Sequence, residues 1–192
     1  MKSPFFAILA AGAVACVLVE AATIAEPEKT GAPGILNFSR IDGEPGFGGP
    51  LVGFGGATNV EAMPWLRSNG FATVINLRLA KEEGADVESS RAAANAVGLN
   101  YIHLPFDPAS TGPDVVETFL ATVGDKANQP VYIHCNSATR VAALWMIGRV
   151  LVDGWTMDAA SHEAEAIALK PSDSIAFATK YIESRGQTPR DR

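Results

Sequence analysis

Short apolar runs alternate with longer amphipathic stretches along most of this chain. Residues 51–54, 71–77, 101–104 and 131–134 are each rich in apolar, β-branched or aromatic residues. They are too short for helices and are bounded by turn-forming residues, so they predict strands buried within a sheet. Helix punctuation lies between them. Thr58 followed by Glu61 reads as a capping box for a helix that ends at Gly70, with Pro64 weakening its middle. Asp86 predicts the cap of a second helix through Ala96, closed by Gly98, and Asp114 with Glu117 predicts a further capping box for a helix through Val123. Residues 138–152, ATRVAALWMIGRVLV, are apolar almost all round, with Arg140 and Arg149 the only charges. Such a helix belongs in the middle of a domain. Segments 157–169 and 174–184 predict two helices packed on the outside. Strands alternating with helices predict an α/β fold, a central and mostly parallel sheet flanked by helices.

The amino terminus breaks this rhythm. Lys2 precedes an uncharged apolar run over 4–19, then small residues and the polar stretch EPEKT, the layout of a secretory signal peptide. The run is shorter than the roughly 20 residues a membrane-spanning helix needs. Cleavage is expected after Ala21 or Ala25, with export to the periplasm or beyond; a lipoprotein modified at Cys16, or a membrane-anchored form, is the alternative. Residues 1–25 are thus assigned to the signal, 26–50 to an irregular Gly- and Pro-rich entry segment, 51–185 to one α/β domain and 186–192 to a disordered polar tail. About 165 residues would remain after cleavage, enough for one substantial core.

Charge narrows the partners. The formal net charge is -6 and no basic run occurs, a balance that repels nucleic-acid backbones and anionic lipid. Loss of Cys16 with the leader leaves Cys135 as the one cysteine, unable to form an internal disulfide.

The neighbours of Cys135 carry the chemistry. In VYIHCNSATRVAALW the cysteine stands at the carboxyl end of a predicted buried strand and just before a predicted buried helix. In open parallel sheets that edge is where ligands bind. Backbone N–H groups of Asn136, Ser137, Ala138 and Thr139, with the helix's positive end, would form an anion site, and the same field favours a thiolate on Cys135. Arg140, a cation in the first helical turn, sits at the wrong end of the dipole. An anion in the loop would remove that conflict, and a guanidinium can grip two of its oxygens.

The stretch NQPVYIHCNSATR is similar to the active-site segment of dual-specificity and tyrosine phosphatases. The wider frame, GGATNVEAMPWLRSNGFATVINLR followed by GLNYIHLPFD, resembles the phosphatase-like domain of the beta-lactamase hydrolase-like protein family, over roughly residues 38–168. That resemblance implies a dual-specificity-phosphatase-like fold and a cysteine-dependent hydrolase acting through a phosphocysteine on a small anionic or phosphorylated substrate, with no metal or organic cofactor. It makes Cys135 the nucleophile, Arg140 the phosphate-gripping arginine and His134 the support of the loop. Asp107, in FDP, becomes the general acid, with Asp114 second. Arg78, at the end of VINLR, could assist anion binding or pair with Glu82 or Glu83.

Three departures stand beside the resemblance. Cys135 and Arg140 enclose four residues where the phosphatase loop has five, a length seen in rhodanese-type sulfurtransferases. Ala138 or Ser137 occupies the place of the usual loop glycine, although a left-handed backbone position favours glycine. Val141 replaces the hydroxyl that commonly follows the arginine, leaving Ser137 or Thr139 to substitute. A sulfurtransferase carrying a Cys135 persulfide and a non-catalytic anion-binding module are therefore the alternatives. His103 and His162 have no second ligand at metal spacing, and Ser89, Ser90 and Ser161 lack a nucleophile-elbow context.

Overall fold

The computed structural model describes residues 26–43, 46–168, 170 and 172–186. The signal peptide and its cleavage sites lie outside these residues, as does the tail from residue 187.

Six strands form one sheet in the order β1-β2-β3-β6-β4-β5. They are β1 (Glu28–Lys29), β2 (Ser39–Asp42), β3 (Leu51–Gly55), β4 (Thr73–Asn76), β5 (Asn100–His103) and β6 (Val131–His134). The β3–β6, β6–β4 and β4–β5 pairs run parallel, whereas β1–β2 and β2–β3 are antiparallel. The expected parallel sheet is thus present, with an antiparallel flank. That flank comes from the entry segment, which was expected to be irregular: β2 pairs Ser39 with Phe54 and Asp42 with Leu51. A four-residue strand among glycines offers too few positions to show a period of two.

The helices are α1 (Met63–Ser68), α2 (Val87–Ala96), α3 (Pro113–Gly124), α4 (Thr139–Leu151), α5 (Met157–Ile167) and α6 (Asp173–Ser184). Alternate side chains of the buried strands feed two cores. Ile75, Val131 and Ile133 join residues of α3, α4, α5 and α6 on one face. Val74, Tyr101 and Tyr132 join Met63 and Leu66 of α1 and Ala94 of α2 on the other. Residues 141–150 of α4 are all buried, which accounts for the segment's uniform apolarity.

Both predicted capping boxes are absent. Thr58 turns its hydroxyl to the Gly56 carbonyl and the Tyr132 hydroxyl, at 3.0 and 2.7 Å. The first helix instead opens as a short 3-10 turn (Val60–Ala62), and Pro64 stands in the first turn of α1, where a missing N–H costs nothing. The α3 cap is Gly112, with Pro113 leading the helix and Asp114 inside its first turn. Asp86 does cap α2, its carboxylate accepting from the Ser89 N–H at 3.2 Å. Thr156 likewise caps α5.

Candidate active site

Strand β6 is buried along its whole length between β3 and β4, and it delivers Cys135 to the carboxyl edge of the sheet. The chain then turns through Asn136, Ser137 and Ala138 into α4. Cys135 is 0% exposed, whereas Asn136 and Ser137 face solvent. Ala138 has φ +70°, so the left-handed position of the loop falls on it. A non-glycine residue there stores on the order of 1 kcal/mol of strain. Among the described residues, no protein group accepts from the N–H groups of Asn136, Ser137, Thr139 or Arg140. Four donors at the mouth of a buried helix are thus without a protein acceptor.

The loop is held from outside by the segment after β3. The Ala57 N–H donates to the Asn136 carbonyl at 2.7 Å and the Cys135 N–H to the Gly55 carbonyl at 3.2 Å. The backbones meet so closely that a Cβ on Gly56 would lie 2.9 Å from the Asn136 oxygen. Only glycine allows that approach. Tyr132 and Thr58 bind each other and then Gly56, linking the core of one face to this contact. Sequence reasoning missed Gly56 and Thr58 as loop supports, since nothing near them in the chain marks their partner.

Arg140 is where the edge converges. Its Nη1 donates to Glu82 Oε1 at 2.7 Å, the Phe106 carbonyl at 3.0 Å and the Leu77 carbonyl at 3.3 Å; its Nη2 donates to Glu82 Oε2 at 2.8 Å. The loops after β4 and β5 thereby meet the loop after β6 on one guanidinium. Burial works against its charge, but Glu82 and the neighbouring Cys135 outweigh it and hold Arg140 more firmly protonated than usual. Burial likewise works against the Glu82 carboxylate, and Arg140, the Leu79 N–H and Arg78 together hold it below the ordinary range. Glu82 was foreseen only as a partner for Arg78. The usable signal was the cation in the helix's first turn, which a carboxylate side chain can answer as well as an anion in the loop.

Arg78 does not reach toward the loop. It is 4% exposed, and its guanidinium is spent on Glu82 at 3.4 Å, the Gly84 carbonyl at 2.8 Å and the Glu83 carbonyl. Of the two expectations the ion pair is the one formed, in the interior rather than on the surface. Its effect is to shape the 79–85 turn that presents Glu82.

His134 backs the cysteine in a way the sequence did not suggest. Its ring stacks on Tyr132, with centroids 5.7 Å apart and planes at 7°, and neither ring nitrogen has a partner. Burial, then the Arg78 charge, push its pKa down to about 3, so the ring is neutral. The nearby backbone of Cys135 and Gly56 pulls the other way without reaching hydrogen-bond geometry. The residue holds the loop through the Leu77 N–H on its carbonyl, at 2.9 Å, and through packing.

Asp107 follows the carbonyl that binds Arg140, which puts it beside the site. Its carboxylate accepts from the Ala109 N–H at 3.0 Å and the Ser110 hydroxyl at 2.9 Å, and these bonds hold it below the usual carboxylate range. Asp114 is exposed on α3. Ser137 and Thr139 hydroxyls lie 3.1 Å apart, with Thr139 also donating to the Ala168 carbonyl at 3.4 Å. Val141 is buried in the core. Among the described residues, no group of three His, Cys, Asp or Glu side chains could hold a metal ion.

Comparison with known proteins agrees with this geometry. The chain is 30% identical over 101 residues to the beta-lactamase hydrolase-like protein of Agrobacterium fabrum, covering 50% of this chain and 22% of that protein. The core catalytic domain of the PP-IP phosphatase SIW14 from S. cerevisiae shares the fold, with a TM-score of 0.62 and 17% identity over 82% of this chain and 92% of that one. TpbA from P. aeruginosa does so with a TM-score of 0.58 and 18% identity, over 81% and 88%. Residues 57–152, half the chain and all of the site just described except its outermost supports, match the family model described as beta-lactamase hydrolase-like protein, phosphatase-like domain, and the chain belongs to that family.

Proposed function

We propose that the chain is a cysteine-dependent phosphatase that forms a phosphocysteine on Cys135. In the first step the Cys135 thiolate attacks phosphorus, the S–P bond forms, the bond to the leaving oxygen breaks, and Asp107 gives that oxygen its proton. Water then attacks phosphorus, Asp107 takes the proton, the S–P bond breaks and the thiolate returns. The amides of Asn136, Ser137, Thr139 and Arg140, with the guanidinium, carry the charge of the phosphoryl oxygens throughout. The hydroxyl pair of Ser137 and Thr139 assists departure of the thiolate in place of Val141.

The observation that carries this reading is the set of four unpartnered amides beside Cys135, closed by an arginine already fixed by Glu82. The loop length keeps one other reading in play, persulfide transfer on the same cysteine. Purified protein is assayed with an aryl phosphate and separately with thiosulfate and cyanide, each beside Cys135→Ser. Phosphate release lost in the variant is expected. Thiocyanate formation with no phosphate release would instead establish the sulfurtransferase.

Asp107 has its own test. An acid held low donates its proton well only in acid, so kcat/KM is expected to rise steadily as the pH falls from neutrality. Asp107→Asn should flatten that rise; an unchanged profile transfers the role to Asp114 or to water. Export remains part of the same reading, on the strength of residues 1–25, and N-terminal sequencing of protein recovered from the periplasm tests it.

A further inference from the structure

A cavity of about 240 Å³ adjoins the outer side of the loop, lined by Lys29, Asn37, Glu165, Ile167, Ala168 and Lys170. Two of its walls are fastened to the loop itself. The Asn37 side-chain amide donates to the Ser137 carbonyl at 3.4 Å, from a backbone held at φ +52°. On the other wall the Thr139 hydroxyl donates to the Ala168 carbonyl at 3.4 Å. The pocket is therefore fixed in place relative to the four free amides and not merely near them.

Its charges are uncommitted. Among the described residues, neither Lys29 nor Lys170 has a carboxylate within salt-bridge distance, and Glu165 has no cationic partner. The two lysines come from distant parts of the chain, one on β1 and one just beyond α5, and the tertiary structure brings them to one cavity. Two ammonium groups against one carboxylate leave the cavity with one net positive charge in a chain whose formal charge is -6. A polyanionic backbone would meet repulsion over the rest of the surface, whereas one additional oxyanion on a small molecule is matched.

We propose that this pocket is a second oxyanion subsite, so that the substrate is a small molecule bearing two phosphoryl groups, one cleaved at Cys135 and one held by Lys29 and Lys170. This deepens the phosphatase reading and rests on it for the identity of the first group. Binding is measured by calorimetry on the full chain, with methylphosphonate set against alkane-α,ω-bisphosphonates of increasing spacer length. One spacer is expected to bind at least tenfold more tightly than methylphosphonate, about 1.4 kcal/mol. In the Lys29→Gln/Lys170→Gln double variant that ratio should fall to twofold or less. A ratio near one in the wild-type chain, or a ratio retained in the double variant, overturns the subsite. Failure of the catalytic reading is distinct, because it leaves the bisphosphonate ratio intact while aryl phosphate release is absent or survives Cys135→Ser.

Discussion

Helix α4 carries an arginine at each end, and the two live in opposite circumstances. Arg149, in the last turn, is 3% exposed and is paired with two carboxylates. Its Nε and Nη2 donate to Glu163 at 2.9 and 2.8 Å and its Nη1 to Asp153 at 2.9 Å. Trp145 and Trp155 present ring faces 4.8 and 4.2 Å from its guanidinium carbon, and the Trp145 indole donates to Glu163 as well. The cation also stands at the end of the helix where the dipole favours it. Arg140, in the first turn, is held by a single carboxylate and the carbonyls of Phe106 and Leu77, opposes the dipole, and borders four amides that have no protein acceptor among the described residues. Two carboxylates meet one cation at the last turn, whereas at the first turn four backbone donors have no protein acceptor among the described residues. One end is open in its hydrogen bonding and the other is shut.

The largest way to break that comparison is at the shut end. Arg149→Met leaves Glu163 buried without its partner and is expected to cost about 3–5 kcal/mol in chemical denaturation. Activity per folded molecule should persist, and its loss would show that the two ends are coupled. Next is Arg140→Lys, which keeps the charge but not the planar grip. A fall in kcat/KM of on the order of 100-fold is expected, with only a small change in denaturation midpoint; an equally large loss of stability would make Arg140 structural like Arg149.

A pH titration of stability sharpens the same contrast. His134 is neutral in the folded chain with a pKa of about 3, while the unfolded imidazole titrates near 6.5. The unfolded state therefore takes up the proton first, and stability is flat above about pH 6.5 and falls by as much as about 1.4 kcal/mol per pH unit below it. His134→Asn should remove that slope. The smallest effect expected is at Ala138. Glycine there relieves about 1–2 kcal/mol of left-handed strain and gives up a buried methyl worth about 0.8, for a net gain near 0.5 kcal/mol. Ala142→Gly, in right-handed helix four residues on and equally buried, should lose about 2 kcal/mol instead, so a matching sign at both positions would contradict the backbone assigned to the loop.

How much of this could be read beforehand divides by distance along the chain. Four strands, the α2 cap at Asp86 and the all-round burial of α4 were legible, because each is written in adjacent residues or in one helical period. The two capping boxes were misread because the Thr58 hydroxyl is taken up by the Gly56 carbonyl and by the Tyr132 hydroxyl 74 positions away, and because Gly112 and Pro113 already supply the start of α3. A short-range propensity worth about 1 kcal/mol yields readily to a buried tertiary hydrogen bond. The antiparallel flank was missed for a related reason: β1 and β2 are too short to show alternation and exist by pairing, β2 with β3 and β1 with β2.

The candidate site splits along the same line. Cys135, its place at a sheet edge and the mismatch of Arg140 with the helix dipole follow from the sequence alone, since strand, loop and helix are contiguous there. The clamp on Arg140 by Glu82, 58 positions earlier, the spending of Arg78 on its own turn, and the meeting of Lys29 with Lys170 were decided only by the tertiary structure. Pairing of charges depends on which loops the parallel strands bring to a common edge, and that order of strands is set by burial of whole faces and not by any local pattern.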